Sequence, residues 1–228
     1  MNPSPKPAQR GKARPRAAAG DPVTKTNGRR VASQQRRQAI LHAALHIFAE
    51  NGFAAARLDD VAARAGIAKG TLYLYFADKE ALFEELIRSY MSPILDKLEA
   101  TSAAAAPLPA PLLLQQLFEL FRREVLETER KHIIQLLISE GPRFPALAEF
   151  YFREIVSRGI RALGGLARQA QASGQLPSNA LARYPQLIVA PLLVAVVWDR
   201  LFSRFEPLDV DGMLKAHAML LTGGKTPS

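Results

Sequence analysis

Helical periodicity is the feature that most constrains this chain. Apolar residues recur at intervals of three and four along most of its length, the spacing that puts side chains on one face of an α-helix. The first such set is Ile40, Ala44, Ile47 and Phe48. No segment shows the alternation of apolar and polar residues, bounded by turn residues, that is typical of a β-strand. The sequence therefore predicts an all-α fold.

Glycine, proline and short polar runs divide this pattern into separate helices. We expect the first helix to end at Asn51-Gly52 and the short second helix to end before Gly66, which suits a left-handed helix exit. Asp78-Lys79-Glu80 opens the fourth helix, and the run AAAAPLPAP at 103–111 is a break in composition. The predicted helical segments after the first are 58–65, 69–75, 78–98, 112–126, 130–139, 147–173, 181–205 and 210–221.

The positive charge of the chain is concentrated in its N-terminal tail. Residues 1–32 contain eight basic residues and one acidic residue, and so account for +7 of the net charge of +9. This stretch is rich in Pro, Ala and Gly and has few large aliphatic residues, so we expect it to be disordered. Its charge would act as a non-specific electrostatic arm.

Composition excludes several classes of protein. Cysteine is absent, which excludes disulfide frameworks, cysteine-ligated zinc and thiol nucleophiles. The longest strongly apolar run, 187–198, has 12 residues, whereas a membrane-spanning helix needs about 20. Gly223-Gly-Lys-Thr226 imitates the end of a phosphate-binding loop, but the first glycine of that motif would fall at Met219. We therefore expect no membrane partner, no cofactor and no enzymatic activity.

Two histidines have a spacing found in metal sites. His42 and His46 stand four residues apart on the first predicted helix, but no HExxH motif surrounds them. We expect both to be solvated surface residues and predict no metal site.

The segment 58–76 carries the strongest functional signal. It predicts two short helices joined by a glycine turn, with Val61 and Leu72 among the buried contacts. The second of these helices leaves small, hydroxylated and cationic residues facing outward, which suits insertion into the DNA major groove. These residues are Lys69, Gly70, Thr71, Tyr73 and Tyr75. Each one taken alone is also compatible with a solvated or half-buried surface position.

The segments 38–53, 58–76 and 78–82 together resemble the DNA-binding domain of the TetR family of transcriptional regulators. The resemblance covers roughly Ser33 to Ile87 and implies a three-helix DNA-binding domain followed by a helical ligand-binding and dimerisation domain. It implies base contacts by Lys69, Gly70 and Thr71. It also implies phosphate contacts by Tyr73, Tyr75 and Lys79. The run 139–147 is similar to the AefR-related subgroup of the same family.

The sequence departs from the family pattern at three places. Ala56-Arg57 stands where the family usually has a Thr or Ser before the second helix, so we expect a weaker helix cap and a phosphate contact by Arg57. Ala68 replaces a serine at the start of the third helix, and Leu74 occupies a position that is often polar.

The predicted domains follow from this resemblance and from the composition. They are a disordered basic tail at 1–32, a helix-turn-helix domain at 33–87 with its motif at about 57–76, an effector-binding and dimerisation domain at 88–222, and a flexible C-terminus at 223–228. For the effector pocket we single out Phe118, Phe121, Phe144 and Tyr151. For the dimer interface, on a helix that is apolar nearly all round, we single out Leu192, Val196, Trp198 and Phe202. The alternative is that the core of a single chain covers this helix.

The predicted function is that of a cytoplasmic, nucleoid-associated repressor. It would bind a pseudo-palindromic double-stranded DNA operator as a homodimer and be released by a small molecule. The alternative is an all-helical adaptor or small-molecule sequestering protein whose helix-turn-helix no longer binds DNA. Binding that depends on DNA sequence and weakens with salt separates the two.

Overall fold

The computed structural model describes Met1, residues 22–103 and residues 108–224, with side chains from Arg30 onward. All regular structure within these residues is helical, which confirms the all-α fold class. The helices are α1 (Pro22–Ala55), α2 (Leu58–Arg64), α3 (Lys69–Tyr73), α4 (Lys79–Ala103), α5 (Ala110–Phe121), α6 (Lys131–Glu140), α7 (Pro145–Tyr151), α8 (Ser157–Ala172), α9 (Ala180–Arg183), α10 (Gln186–Leu201) and α11 (Val210–Leu221). Two π-helical turns, π1 (Arg122–Leu126) and π2 (Phe152–Val156), interrupt this series.

The chain divides into two compact units, Met1–Arg37 and Gln38–Ser228. The first unit contains the beginning of α1, since that helix starts at Pro22. Residues 22–32 are thus helical, in place of the disorder that their composition predicts. Proline fits the first turn of a helix, and helix extension from a formed nucleus adds one hydrogen bond for each residue that is ordered. The remainder of the predicted tail, 2–21, lies outside the described residues.

The predicted break at the end of the first helix is confirmed. Gly52 has φ 73° and ψ 169°, a non-helical conformation inside the Pro22–Ala55 span. This region of backbone space is essentially restricted to glycine. The residues beyond Gly52 therefore leave the path of the helix and lead into α2.

The two short helices of the predicted helix-turn-helix are confirmed, with α3 ending two residues earlier than expected. Val61 and Ala62 of α2 and Leu72 of α3 are buried, and they hold the two helices together across Gly66, which has φ 66°. This arrangement fixes the orientation of α3 through apolar packing rather than through polar contacts.

The long helix α4 runs through the predicted domain boundary at residues 87–88. The Asp78 Oδ1 atom accepts a hydrogen bond of 2.7 Å from the Ala81 N–H, which satisfies one of the free donors at the start of α4. Leu82, Leu86 and Leu95 of this helix are all buried. A continuous helix therefore joins the helix-turn-helix region to the helices that follow.

The C-terminal half contains more breaks than its periodicity predicts. The expected helix at 147–173 is interrupted by π2, and the expected helix at 181–205 is divided between Arg183 and Gln186 and ends at Leu201. The last helix matches its predicted bounds at Val210 and Leu221. Within the described residues, no helix is both long enough and apolar enough to cross a bilayer.

Candidate nucleic-acid interface and apolar cavity

The outward side of α3 presents short and polar side chains. Lys69, Gly70 and Tyr73 are exposed, whereas Leu72 is fully buried beneath them. A Cβ atom built on Gly70 meets no atom within 4 Å, so open space lies next to this backbone. Thr71 is half-buried at the edge of this surface. The helix therefore offers a cation, a hydroxyl and bare backbone on one side.

The other side chains of the helix-turn-helix that were singled out from the sequence differ in how exposed they are. Tyr75 is half-buried and packs against the core, which corresponds to the packing alternative for this residue. Leu74 is 84% exposed, so an apolar side chain lies at the rim where the family often has a polar one. Arg57 is exposed.

Both expected gaps in helix capping are present. Arg57 is the N-cap residue of α2 and Ala68 is that of α3, and neither side chain makes a capping hydrogen bond. Asp59 and Asp60 in the first turn of α2 partly compensate, because carboxylates are favourable near a helix N-terminus.

An ion pair links the two helices of the motif. The Lys69 Nζ atom lies 2.9 Å from the Asp59 Oδ1 atom. The hydrogen bond and the charge of Asp59 raise the pKa of Lys69. Both side chains are well exposed, and exposed pairs contribute little to stability. Lys69 can therefore exchange Asp59 for another anion at little cost.

Lys79 contacts the chain itself rather than facing outward. Its ammonium group donates to the carbonyl oxygens of Phe53 at 2.6 Å, Ala54 at 3.1 Å and Ala56 at 3.3 Å. It also lies 4.5 Å from the centroid of the Phe53 ring. Because an ammonium group has three donors, these carbonyls account for all of them. The phosphate contact that the resemblance implies would require Lys79 to give up at least one of these bonds.

A cluster of phenylalanines lies beside Lys79 and the carbonyl groups that it contacts. The Phe53 ring packs against Phe48 at 5.5 Å, Phe83 at 5.4 Å and Phe144 at 4.9 Å between centroids. Phe144, which we expected in the effector pocket, therefore belongs to this cluster and does not line the cavity described below. The sequence pattern did not reveal this because Phe144 meets Phe53 only through tertiary packing.

An apolar cavity of about 370 Å³ lies among the helices of the C-terminal half. Phe118, Phe121 and Tyr151, which we single out as candidates for the effector pocket, are among its lining residues. Other lining residues come from several helices and are not aromatic, so the choice of aromatic residues as pocket candidates did not include them. They include Met91, Leu95, Leu98, Ile134, Gly159, Ile160, Val189 and Leu193.

Tyr151 is the one residue with a polar side-chain atom among the described residues that line this cavity. A tyrosine phenol is neutral at pH 7, and burial raises the pKa of Tyr151 further. The cavity therefore combines an apolar wall with a single neutral hydroxyl group.

The predicted dimer-interface residues are only partly at the surface. Leu192 and Val196 are 5% and 0% exposed, so they belong to the core of one chain and the prediction is wrong for them. The Trp198 Nε1–H donates to the Glu206 carbonyl at 2.7 Å, and Phe202 packs edge-on against Trp198 while remaining 44% exposed. A helix that is apolar nearly all round does not reveal which side faces its own chain.

A different stripe on α10 is exposed. Leu187, Ala190, Val194 and Leu201 follow one another at intervals of three, four and seven residues, and all four are exposed. We name these residues the α10 stripe. They lie on one side of the helix because these intervals match the helical repeat.

Family models match both parts of the chain. The model for bacterial regulatory proteins of the tetR family matches residues 40–86, which include α2, α3 and the start of α4. The model for the C-terminal domain of AefR-like transcriptional repressors matches residues 113–212.

Individual relatives extend these matches. The transcriptional regulator RutR of Escherichia coli K12 is 40% identical over 89 residues, or 39% of this chain and 42% of RutR. The chain thus spans about two fifths of the length of RutR. The repressor KstR2 of Mycolicibacterium smegmatis is 25% identical over 197 residues, which are 85% of this chain and 92% of KstR2.

A solved structure shares the fold. The complex of triclosan with SmeT, the repressor of a Stenotrophomonas maltophilia efflux pump, matches with a TM-score of 0.68 and 20% identity over 85% of this chain and 96% of SmeT. With the helix-turn-helix and the helical C-terminal half in place, the chain belongs to the TetR family of bacterial regulatory proteins.

Proposed function

We propose that this protein is a repressor that binds operator DNA as a homodimer and is released by an apolar small molecule. The observation that carries this proposal is the exposed Lys69-Gly70-Thr71 surface of α3, held by the buried side chains Val61 and Leu72. In this proposal the protein acts on DNA in the cytoplasm, associated with the nucleoid, and has no catalytic role.

The contacts to DNA are divided by chemistry. Lys69, Gly70 and Thr71 approach the base edges in the major groove, where a bare backbone and a hydroxyl fit closely. Arg57, Tyr73 and Tyr75 hold phosphates and set the register of the helix. Asp59 keeps Lys69 extended until a phosphate or a base oxygen replaces it at the ammonium group.

A homodimer is needed because α3 has only five residues and contacts few base pairs. Two copies related by a two-fold axis read a pseudo-palindrome whose half-sites are about 34–36 Å apart or a multiple of this distance. The α10 stripe is the surface that we assign to the contact between the copies. The functional division that we propose is a DNA-binding part at 33–87 and an effector-binding and dimerisation part at 88–222.

The effector is proposed to be an apolar small molecule with one hydrogen-bonding group. A cavity of about 370 Å³ with one hydroxyl in its wall suits such a ligand. SmeT, which shares this fold, was solved in complex with triclosan, and this supports a small-molecule ligand for the present chain. If the ligand favours a dimer with wrongly spaced α3 helices, ligand and DNA weaken each other by the same factor.

The proposal is tested by selecting binding sequences from a random pool of double-stranded DNA with the full-length protein. We expect enrichment of a pseudo-palindrome, and the logarithm of its affinity should fall linearly with the logarithm of salt concentration. A chain without residues 1–21 serves as the control for the tail. It should lose affinity at low salt and select the same sequence, since the tail contributes only charge.

The adaptor alternative predicts a different result. A helix-turn-helix without DNA function would enrich no sequence, and any binding would disappear with the basic tail. Equal affinity of the shortened chain for all DNA sequences would contradict the repressor proposal.

A further inference from the structure

We propose that His42, His46 and Glu129 form a binding site for Zn²⁺. The Nε2 atoms of the two histidines lie 3.4 Å apart. The Glu129 Oε1 atom lies 3.1 Å from the His46 Nε2 atom, and the Oε2 atom lies 3.5 Å from the His42 Nε2 atom. Three potential ligands thus converge on one point, although the sequence predicts both histidines as solvated residues without a metal.

The separation of the two imidazole nitrogens matches one edge of a zinc coordination tetrahedron. Ligand atoms at about 2.0–2.1 Å from a tetrahedral zinc ion stand about 3.3–3.4 Å apart. The two imidazole nitrogens already stand 3.4 Å apart, whereas the distances of 3.1 and 3.5 Å end on different oxygens of Glu129. One ligand atom from each of the three residues lies within 4.8 Å of the other two, so a reorientation of the side chains brings all three to one ion. Two imidazoles and one carboxylate suit zinc, whereas Mg²⁺ and Ca²⁺ prefer oxygen ligands. A fourth position is left for water.

The histidines are placed by α1 itself. They stand four residues apart, so both project from the same side of the helix, and their rings meet edge-on at 4.6 Å between centroids. The side chains of His42, His46 and Glu129 are 59%, 28% and 43% exposed. An ion can therefore reach the site from solvent, while the surrounding chain limits the number of side-chain orientations.

Glu129 is presented by a fixed turn between π1 and α6. The Thr128 hydroxyl donates to the Glu124 carbonyl at 2.7 Å, which closes the turn on one side. On the other side, Arg130 Nε donates to the Tyr90 carbonyl at 2.9 Å and Arg130 Nη1 lies 3.0 Å from Glu124 Oε2. The neighbouring cation is thus paired with Glu124, and the Glu129 carboxylate faces the imidazoles.

A bound ion would join α1 to the segment before α6. The unfolded chain does not hold these three groups together, so the binding of zinc stabilises the folded state. This consequence does not depend on the proposed function in DNA binding, and its test contains no DNA.

The test uses the full-length protein without a polyhistidine tag, stripped of metal with a chelator and then dialysed. We expect ZnCl₂ to bind with one ion per chain in isothermal titration calorimetry and to raise the thermal midpoint of unfolding. CoCl₂ should give the intense visible absorption of four-coordinate Co²⁺, and an excess of MgCl₂ should displace neither ion.

Variants assign the ligands. His46→Asn and Glu129→Gln should each weaken zinc binding at least about 10-fold, because even outer-shell partners of a metal contribute 10- to 100-fold. His132→Asn is the matched control, since His132 contacts Gln135 instead and should keep the wild-type affinity. Circular dichroism without metal checks that each variant folds, and His42→Asn replaces any that does not.

Two results would overturn the proposal. One is the absence of zinc binding by the wild-type chain at micromolar protein concentration. The other is equal zinc affinity of the wild type and a His42→Asn/His46→Asn double variant, which would place the ion elsewhere.

Discussion

At the scale of single residues, the exposed side of α3 combines two kinds of side chain with different tasks. Lys69 is well exposed and pairs with Asp59, so its position depends on a contact that is easily exchanged. Thr71 is half-buried and β-branched, so its side chain has fewer accessible rotamers than the lysine. We therefore expect Thr71 to select sequence and Lys69 to contribute mainly affinity.

The substitution Thr71→Ala tests this assignment. Removing the hydroxyl should relax the preference at one base pair of each half-site and cost about 1–3 kcal/mol of discrimination, the usual cost of one mismatched pair. The measurement is fluorescence anisotropy on the selected operator and on single-base variants of it. Thr101→Ala is the control, because the Thr101 hydroxyl bonds to the Lys97 carbonyl of its own helix. A uniform loss at every DNA sequence would contradict a base contact by Thr71.

Lys79, which the family resemblance places on a DNA phosphate, also makes contacts within its own chain. Its ammonium group joins the first turn of α4 to the carbonyls that follow Gly52. Lys79→Met should lower the free energy of unfolding by about 1.5–3 kcal/mol, the range for hydrogen bonds to charged groups. Urea unfolding measures this, with Lys215→Met as an exposed-lysine control on α11.

The salt dependence of DNA binding separates the two roles of Lys79. A residue that only positions α4 leaves the slope of log affinity against log salt unchanged when it is replaced. A residue that contacts a phosphate makes that slope shallower by about one. We expect the unchanged slope, together with reduced affinity for all sequences.

At the scale of elements, the junction between α1 and α2 depends on the backbone of Gly52. Gly52→Ala should destabilise the fold by about 1–3 kcal/mol, because its backbone conformation is essentially available to glycine alone. A Cβ atom at this position would also lie 3.1 Å from the Glu140 Oε1 atom. Thermal and urea unfolding measure the change.

Gly70→Ala is the matched control for this prediction. Gly70 lies within α3, and a Cβ atom there meets nothing within 4 Å. The substitution should leave stability unchanged or raise it slightly, since alanine favours helix. If both variants were equally stable, the Gly52 conformation would not be what fixes the junction.

The elements also show what the sequence could predict. The bounds of α2 and α11 follow from local signals, namely a glycine after the helix, acidic residues at its start and a clear apolar repeat. The π-helical turns do not follow from any such signal. The division before α10 falls at Tyr184-Pro185, so a local signal was present there, and the predicted segment 181–205 ran through it.

The residues of the candidate sites also fall into two groups, those that the local sequence predicts and those that depend on tertiary contacts. Lys69, Gly70 and Tyr73 are exposed as predicted, since one short helix decides which of its sides faces outward, whereas Thr71 and Tyr75 are half-buried. The positions of Phe144, Leu192 and Glu129 were not predictable, because each depends on contacts with a distant part of the sequence: Phe144 meets Phe53, Leu192 is buried in the core, and Glu129 meets His46. Periodicity gives the faces of a helix but not their partners.

At the scale of the whole molecule, the proposed homodimer raises the question of which surface would join the two copies. The core of the C-terminal half takes up Leu192 and Val196, so these residues have no surface left to offer a partner. The α10 stripe remains exposed, and an apolar row along one side of a helix is typical of a helix-to-helix contact. Val194 is the residue of this stripe that suits a substitution, because it does not line the cavity, whereas the neighbouring Leu193 does. A change at Val194 therefore tests the interface without altering the cavity wall.

Val194→Glu should therefore produce a folded monomer. Val194 is 47% exposed, so a carboxylate there remains hydrated in one chain and would be buried without a partner between two. We expect light scattering coupled to size exclusion to show half the mass of the wild type, with the helical circular dichroism retained. Operator affinity should fall by orders of magnitude, because a single α3 contacts only one half-site. Gln169→Glu, which adds the same charge at an exposed polar position of α8, should remain dimeric and bind DNA. A dimeric Val194→Glu protein with full operator affinity would place the interface on another surface.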